Sequence, residues 1–275
     1  MKYCGFYSNK INMKIFDEIS IIYEDQSKEL LGFLQEYPDQ RINLIVRDIE
    51  KFYNNQEWIK LEKIKEAMPE RELYICFGGA KRFSMIEDLR IDEIINNLHT
   101  IPYFTGDLAT NFSQLTYLLD FGVSDVYIGE NLGFEVEAVK NLCAKYGAQV
   151  RAYPNVAQSE IRTSDTITKF FIRPQDVGVY EEYIDVFEFW GPLDRQKILR
   201  HIYEKRNWMA SLKDIILDFD EDIDSHRILS VFAETRKNCG KKCEKGNGCR
   251  VCYTVASIGQ KLEEKHLYAK AIKDD

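Results

Sequence analysis

Several motifs that would tie this chain to a familiar chemistry are missing. No G-x-G-x-x-G follows an early strand, so the fingerprint of a doubly wound dinucleotide-binding sheet is absent. Neither a G-x-x-x-x-G-K-[ST] phosphate loop nor an H-E-x-x-H or G-x-S-x-G signature occurs. The four histidines, His99, His201, His226 and His266, are scattered along the chain. Apolar runs are short and broken by charges, far below the ~18–20 residues that cross a bilayer. The opening stretch MKYCGFYSNKIN holds no signal-peptide core. No internal repeat and no low-complexity linker is present. A cytoplasmic address with no membrane partner is the expectation.

What the sequence does contain is enough apolar material for a substantial core, with 45% hydrophobic and 13% aromatic residues in 275. That composition argues against global disorder. The formal net charge of -8 disfavours a surface coated in positive potential for nucleic acid. Cysteine is odd in number at seven, and Cys4, Cys76 and Cys143 sit in apolar segments, as buried thiols do in a reducing compartment.

Short β-branched or aromatic runs recur at Lys2–Tyr7, Ile19–Tyr23, Ile42–Arg47, Leu73–Phe77 and Pro102–Phe104. They continue at Val126–Ile128, Val150–Tyr153, Phe170–Ile172 and Val186–Phe189. Helical spacing lies between many of them. Phe112, Leu115, Leu118 and Leu119 recur at three- and four-residue steps, and Val136, Val139 and Leu142 do so before a stop at Gly147. Strand and helix in alternation predict an α/β chain with a parallel (β/α)8-type barrel, regular or irregular, over residues 1–192. Residues 193–275 are expected to form a helical extension ending in a cysteine-rich metal-binding segment. The glycine-rich, basic Gly78–Arg82 reads as a strand-to-helix turn, and the acidic run from Asp218 to Asp224 as a solvated connection.

Cys239, Cys243, Cys249 and Cys252 fall within fourteen residues, with Gly240, Gly246 and Gly248 between them. Gaps of two and three residues let a chain turn back so that paired sulfurs face one ion, and glycine gives the loop its freedom. Zinc held by four thiolates is the leading expectation, and an iron–sulfur cluster is the alternative. His226 is weighed as another zinc ligand and set aside, since four cysteines suffice. Around the thiols stand Arg236, Lys237, Lys241, Lys242, Lys245 and Arg250 against Glu244 alone. These cations offset a dianionic metal site; they also suit contact with RNA or DNA phosphates.

A phrase in the middle of the chain, FGVSDVYIGENLGFEVEAVKNL followed by GAQVRAYPN, precedes FFIRPQDVGVYEEYIDVFEFWGPLDRQKILRHIY. Over about residues 101–204 this order resembles the barrel of the collagenase-like peptidase family. Glu130 and the run Leu132 to Val139 stand where that family has an acidic residue and a new helix, and Phe171 to Gly191 matches a later strand–helix–strand segment. Two departures are visible. The four cysteines follow a helical C-terminal segment, and RAYPNVAQSE stands in place of the family's Gly-Arg-Cys stretch. The resemblance implies a barrel enzyme, or a descendant of one, acting on RNA or a small anionic substrate.

In a barrel, chemistry sits at the C-terminal ends of the strands. Asp48, Thr105, Asp107, Glu130, Asn155, Gln158, Arg173 and Glu188 are the polar residues there. Glu130 and Glu188 are the candidates for general acid and base, and Arg173 for holding an anionic group. The rival reading is a non-catalytic scaffold whose basic zinc knuckle binds nucleic acid or a protein partner. Convergence of Glu130, Arg173 and Glu188 in a polar cavity favours the enzyme; a mouth plugged by Tyr153, Phe189 or Trp190 favours the scaffold.

Overall fold

A computed structural model describes residues 18–26, 29–77, 85–105, 108–120, 122–155, 170–205, 211–216 and 231–240. The N-terminal part runs β1 (Glu18–Ile22), α1 (Tyr23–Gln26), α2 (Leu30–Glu36), β2 (Arg41–Val46), α3 (Ile49–Asn54), α4 (Glu57–Ala67), β3 (Leu73–Phe77), α5 (Met85–Asn97) and β4 (Tyr103–Thr105). Next come β5 (Leu108–Ala109), α6 (Phe112–Asp120), β6 (Asp125–Ile128), α7 (Glu130–Gly133), α8 (Val136–Tyr146) and β7 (Gln149–Ala152). After a 3-10 turn at Pro174–Asp176 follow α9 (Val177–Tyr180), β8 (Val186–Phe187), α10 (Leu193–Glu204), α11 (Leu212–Ile215) and α12 (Val231–Arg236).

Every strand pairing is parallel, as the alternation predicts. The closed barrel expected from the sequence does not form. Among the described residues the ladders make two open four-stranded sheets, β1-β2-β3-β4 and β5-β6-β7-β8. Two local causes are visible. Phe170–Ile172 does not enter as a strand of its own, and β7 pairs directly with β8. Phe170, Phe171, Ile172 and Arg173 are all buried, and Pro174, which has no N–H to give a ladder, turns the chain at once into the 3-10 turn. The second cause is that β8 is only two residues long and β1 gains no ladder from it. A side chain fills in: Gln196 of α10 donates from Nε2 to the carbonyls of Ser20 and Gly191, both at 2.8 Å.

Alternation along the strands sorts side chains onto two faces. Ile42, Leu44 and Val46 of β2, with Ile75 and Phe77 of β3, join an apolar cluster with α2 to α5. Val126 and Ile128 of β6, with Val150 and Ala152 of β7, join a second cluster with α6 to α12. The intervening residues, Arg41, Asn43, Ile45, Tyr74, Cys76, Asp125, Tyr127 and Arg151, take the opposite face. Each buried Ile, Leu or Val stabilises by roughly 1.5–3 kcal/mol. A slip of one residue would push Arg41 and Asn43 into the apolar cluster, so the burial also fixes register.

Helix ends follow local rules. Gly147 stops α8 with φ 70°, its N–H on the Ala144 carbonyl, and Ala148 N–H on the Cys143 carbonyl closes the turn. Asp48 caps α3 by accepting from Lys51 N at 2.9 Å. Gly133 is required by packing: a Cβ there would lie 2.3 Å from Phe170 Cγ.

Candidate functional site

The polar face shared by the two sheets gathers into one network. Arg151 of β7, fully buried, donates from Nε to Asp125 Oδ1 at 2.6 Å and from Nη1 to Glu18 Oε2 at 2.7 Å and Glu188 Oε1 at 2.5 Å. Tyr127 donates its hydroxyl to Glu188 Oε1 at 2.6 Å. Asn43 of β2 donates to Glu18 Oε2 at 2.8 Å and reaches Glu188 Oε2 at 3.5 Å. Arg41, stacked on Tyr74, gives Glu18 a second cation at 3.2 Å. The network therefore ties β1, β2, β6 and β7 to the residue that follows β8, across the gaps left by the ladders.

Two cations serve three carboxylates here, and burial decides which acid bears the deficit. Glu188 is fully enclosed, and that burial raises its pKa above the ordinary carboxylate range despite the Arg151 charge and the Tyr127 hydrogen bond. Burial works against the Arg151 charge too, but Glu188, Tyr127, Glu18 and Asp125 outweigh it and hold the guanidinium protonated.

Aromatic rings close the network on one side. Tyr127 stacks on Tyr153 at 4.8 Å between centroids, and Trp190 meets Tyr153 edge-on at 5.3 Å. Asn155 locks Trp190 in place, donating to its carbonyl at 2.7 Å and accepting from its N–H at 2.9 Å. Phe189 faces the other way, against Tyr203.

The residues expected to do chemistry fall into separate places. Glu188 is inside the network. Arg173 is buried in the second apolar cluster's territory, where it donates from Nε and Nη2 to Asp176 and lies 5.2 Å from the Phe232 ring. Glu130 is the first residue of α7. Thr105 ends β4 and Asp48 is spent as a helix cap. Asp107, Gln158, the Gly78–Arg82 turn, His226 and the acidic run lie outside the described residues. Sequence reasoning passed over Arg151, Asp125, Asn43 and Glu18. The signal for them is a polar residue at every second position of otherwise apolar strands.

Of the four metal-candidate cysteines, Cys239 is described, and Cys243, Cys249 and Cys252 lie outside the described residues. Cys239 is partly exposed and in no disulfide. Its position is fixed from both sides. Val136 N–H donates to the Lys237 carbonyl at 3.2 Å, Gly240 N–H to the Phe134 carbonyl at 3.0 Å, and Asn238 Nδ2 to Glu137 Oε2 at 2.9 Å. Just before it, Arg236 is 1% exposed, with its guanidinium carbon 5.0, 4.7 and 4.5 Å from the rings of Phe134, Phe171 and Phe232. Lys237 pairs with Glu234 at 2.9 Å. Both basic residues at the start of the loop are thus engaged with the body of the protein. No metal-ligating group of three or more side chains occurs among the described residues.

No family model matches this chain, and no curated protein or solved structure does. No helix among the described residues is long and apolar enough to cross a membrane.

Proposed function

We propose that the α/β body is a non-catalytic scaffold that presents a four-cysteine zinc module to nucleic acid. The observation that carries this reading is the state of the interior. Glu188 and Arg151 are fully buried and hydrogen-bonded to each other, and Tyr127, Tyr153 and Trp190 pack over them, leaving Glu188, one of the two expected acid–base residues, no room for a substrate. Arg173, the expected anion holder, is committed to Asp176 in a different cluster.

The zinc module rests on cysteine chemistry and spacing. Four thiolates in one short, glycine-rich stretch suit tetrahedral zinc, and the ordered stretch from Arg236 to Gly240 supports a fixed position for the first of them. Arg236 and Lys237 are engaged with the body of the protein, and this reading assigns the phosphate contacts to the other basic residues of the sequence around the thiols, Lys241, Lys242, Lys245 and Arg250. Contacts of this kind give salt-sensitive binding with little sequence preference.

The test is metal content and folding of Cys249→Ser beside the unaltered chain. The expected result is about one zinc in the unaltered chain, and loss of zinc with a lower melting temperature in the variant, since metal binding and folding are coupled. Single-stranded RNA should bind the zinc form, more weakly as salt rises. Unchanged metal content and melting in the variant would remove the metal site. Iron with labile sulfide would replace zinc by a cluster and reopen an electron-carrying role.

A further inference from the structure

The two apolar clusters divide the chain almost at one point. The first draws its buried residues from positions 19–101 and the second from positions 109–233. Each lies on its own sheet, and among the described residues no ladder joins β1 to β8. α10 spans that junction and is held differently on its two sides. Toward the second cluster it buries Leu199 and Tyr203, and the Tyr203 hydroxyl donates to the Ile172 carbonyl at 2.8 Å. Toward the first half Gln196 donates to the Ser20 carbonyl, and Lys197 pairs with Glu36 at 2.6 Å and lies 5.1 Å from the Tyr37 ring. Leu193 is its apolar contact there. A cleft of about 300 Å³ enters along the same line, bordered by Glu18 and Ile19 of β1 and by Leu193 and Gln196 of α10. Packed elements normally interdigitate without such gaps.

Inside, the sheets meet through the Arg151 network and a small apolar cluster of Ile45, Cys76 and Tyr127. The partners in that network divide along the same boundary. Glu18 has Arg41 and Asn43 in its own half, and Arg151 has Asp125 and Glu188 in the other, with Tyr127 on Glu188. The contacts that cross are Arg151 to Glu18 and Asn43 to Glu188. Parting the halves would therefore give water those contacts while every charge keeps a partner, and rehydration offsets much of the attraction lost.

We propose that the molecule is two four-stranded bodies joined by a polar latch, and that it opens along the line between β1 and α10 with both apolar clusters intact. The segment leading into Cys239 stays with the second body, because the Lys237 carbonyl accepts from Val136 N–H and Gly240 N–H donates to the Phe134 carbonyl. Opening uncovers the inner faces of both sheets, Cys76 among them. The inference does not depend on zinc or nucleic acid.

Thiol modification of the full chain under native conditions, read at each cysteine by peptide mass spectrometry, tests it. Cys76 is 2% exposed and faces the interior between the sheets, and Cys143 is 0% exposed within the second cluster. Opening reaches Cys76 and leaves Cys143 covered, so Cys76 should react about tenfold faster or more. Its rate should also climb less steeply with urea, because opening exposes less surface than unfolding does. Leu115→Ala, in the second cluster, weakens the closed and open forms equally. Cys143 should then react about thirtyfold faster or more, with Cys76 unchanged. Gln196→Met removes the bond to Ser20 that only the closed form holds, and should speed both thiols about tenfold. Equal rates and equal urea slopes for the two thiols would overturn the proposal, leaving global unfolding as the route to both. So would Leu115→Ala accelerating Cys76 as much as Cys143, or Gln196→Met leaving Cys76 unaffected.

Discussion

Arg151 and Arg236 are buried to the same degree and held in opposite ways. Arg151 is surrounded by Glu18, Asp125 and Glu188 and sits where the two sheets face each other. Arg236 lies among Phe134, Phe171 and Phe232 at the edge of the second apolar cluster, with the Arg173–Asp176 pair alongside. The first arrangement fixes one strand to another in the absence of a continuous ladder. The second fixes a chain segment, the one leading into Cys239, onto a finished core. Carboxylates around a buried cation demand that all partners be present together; ring faces ask only for proximity.

That contrast predicts unequal costs. Arg151→Met strands three carboxylates with one remaining cation, and breaking buried pairs in this way costs about 3–5 kcal/mol. Urea denaturation should show that loss, with the whole chain unfolding at lower denaturant. A cost below that of Arg236→Met would mean that the sheets do not depend on the network.

Arg236→Met keeps most of the volume and loses the cation–ring attraction together with the charge Arg236 presents to Asp176. A loss of about 1–3 kcal/mol is expected from contacts worth roughly 0.5–2 kcal/mol each. Its effect should concentrate in the segment that leads into Cys239, so amide protection of α12 should fall more than that of the sheets. Hydrogen exchange reading equal loosening of β6 and α12 would erase the distinction between the two arginines.

The smallest effect concerns pH. The Glu188 pKa is raised in the folded protein, so the folded state binds its proton more tightly than the unfolded chain does. Its ionisation therefore removes stability as pH rises from the unfolded carboxyl value near 4.3 toward the raised one. Glu188→Gln abolishes that slope, and its stability relative to the unaltered chain should improve as pH rises through this window. Parallel stability curves for the two proteins would show that the Arg151 charge cancels the burial. Glu62 provides a contrasting acid. Burial opposes its charge, but Thr100 Oγ1 and the N–H groups of His99, Thr100 and Ile101 outweigh that and lower its pKa. Glu62 stabilises above the unfolded carboxyl value and loses that contribution as pH falls through its depressed one.

Much of the chain's local structure was legible beforehand. The runs INLIVR and LYICF are β2 and β3 almost to the residue, and Gly147 ends α8 where helical spacing runs out. Leu108–Ala109 was missed because two residues hold no period. Phe170–Ile172 was misread because a run that is apolar throughout looks alike whether it joins a sheet or passes beneath one. The candidate site was less legible. Glu188 stood out as polar after a strand, but its partners were distributed over the chain, with Arg151 and Glu18 separated by 133 positions.

By itself the sequence determined the parallel α/β alternation, the two-faced strands and the spacing of four cysteines, because each follows from contacts or periods spanning a few residues. Tertiary structure alone decided that β8 stops short of β1, that Gln196 bridges the gap, and that Arg151 and its carboxylates fill the interior. Those outcomes depend on which distant side chains meet and on how much water their meeting excludes, and no local period encodes either.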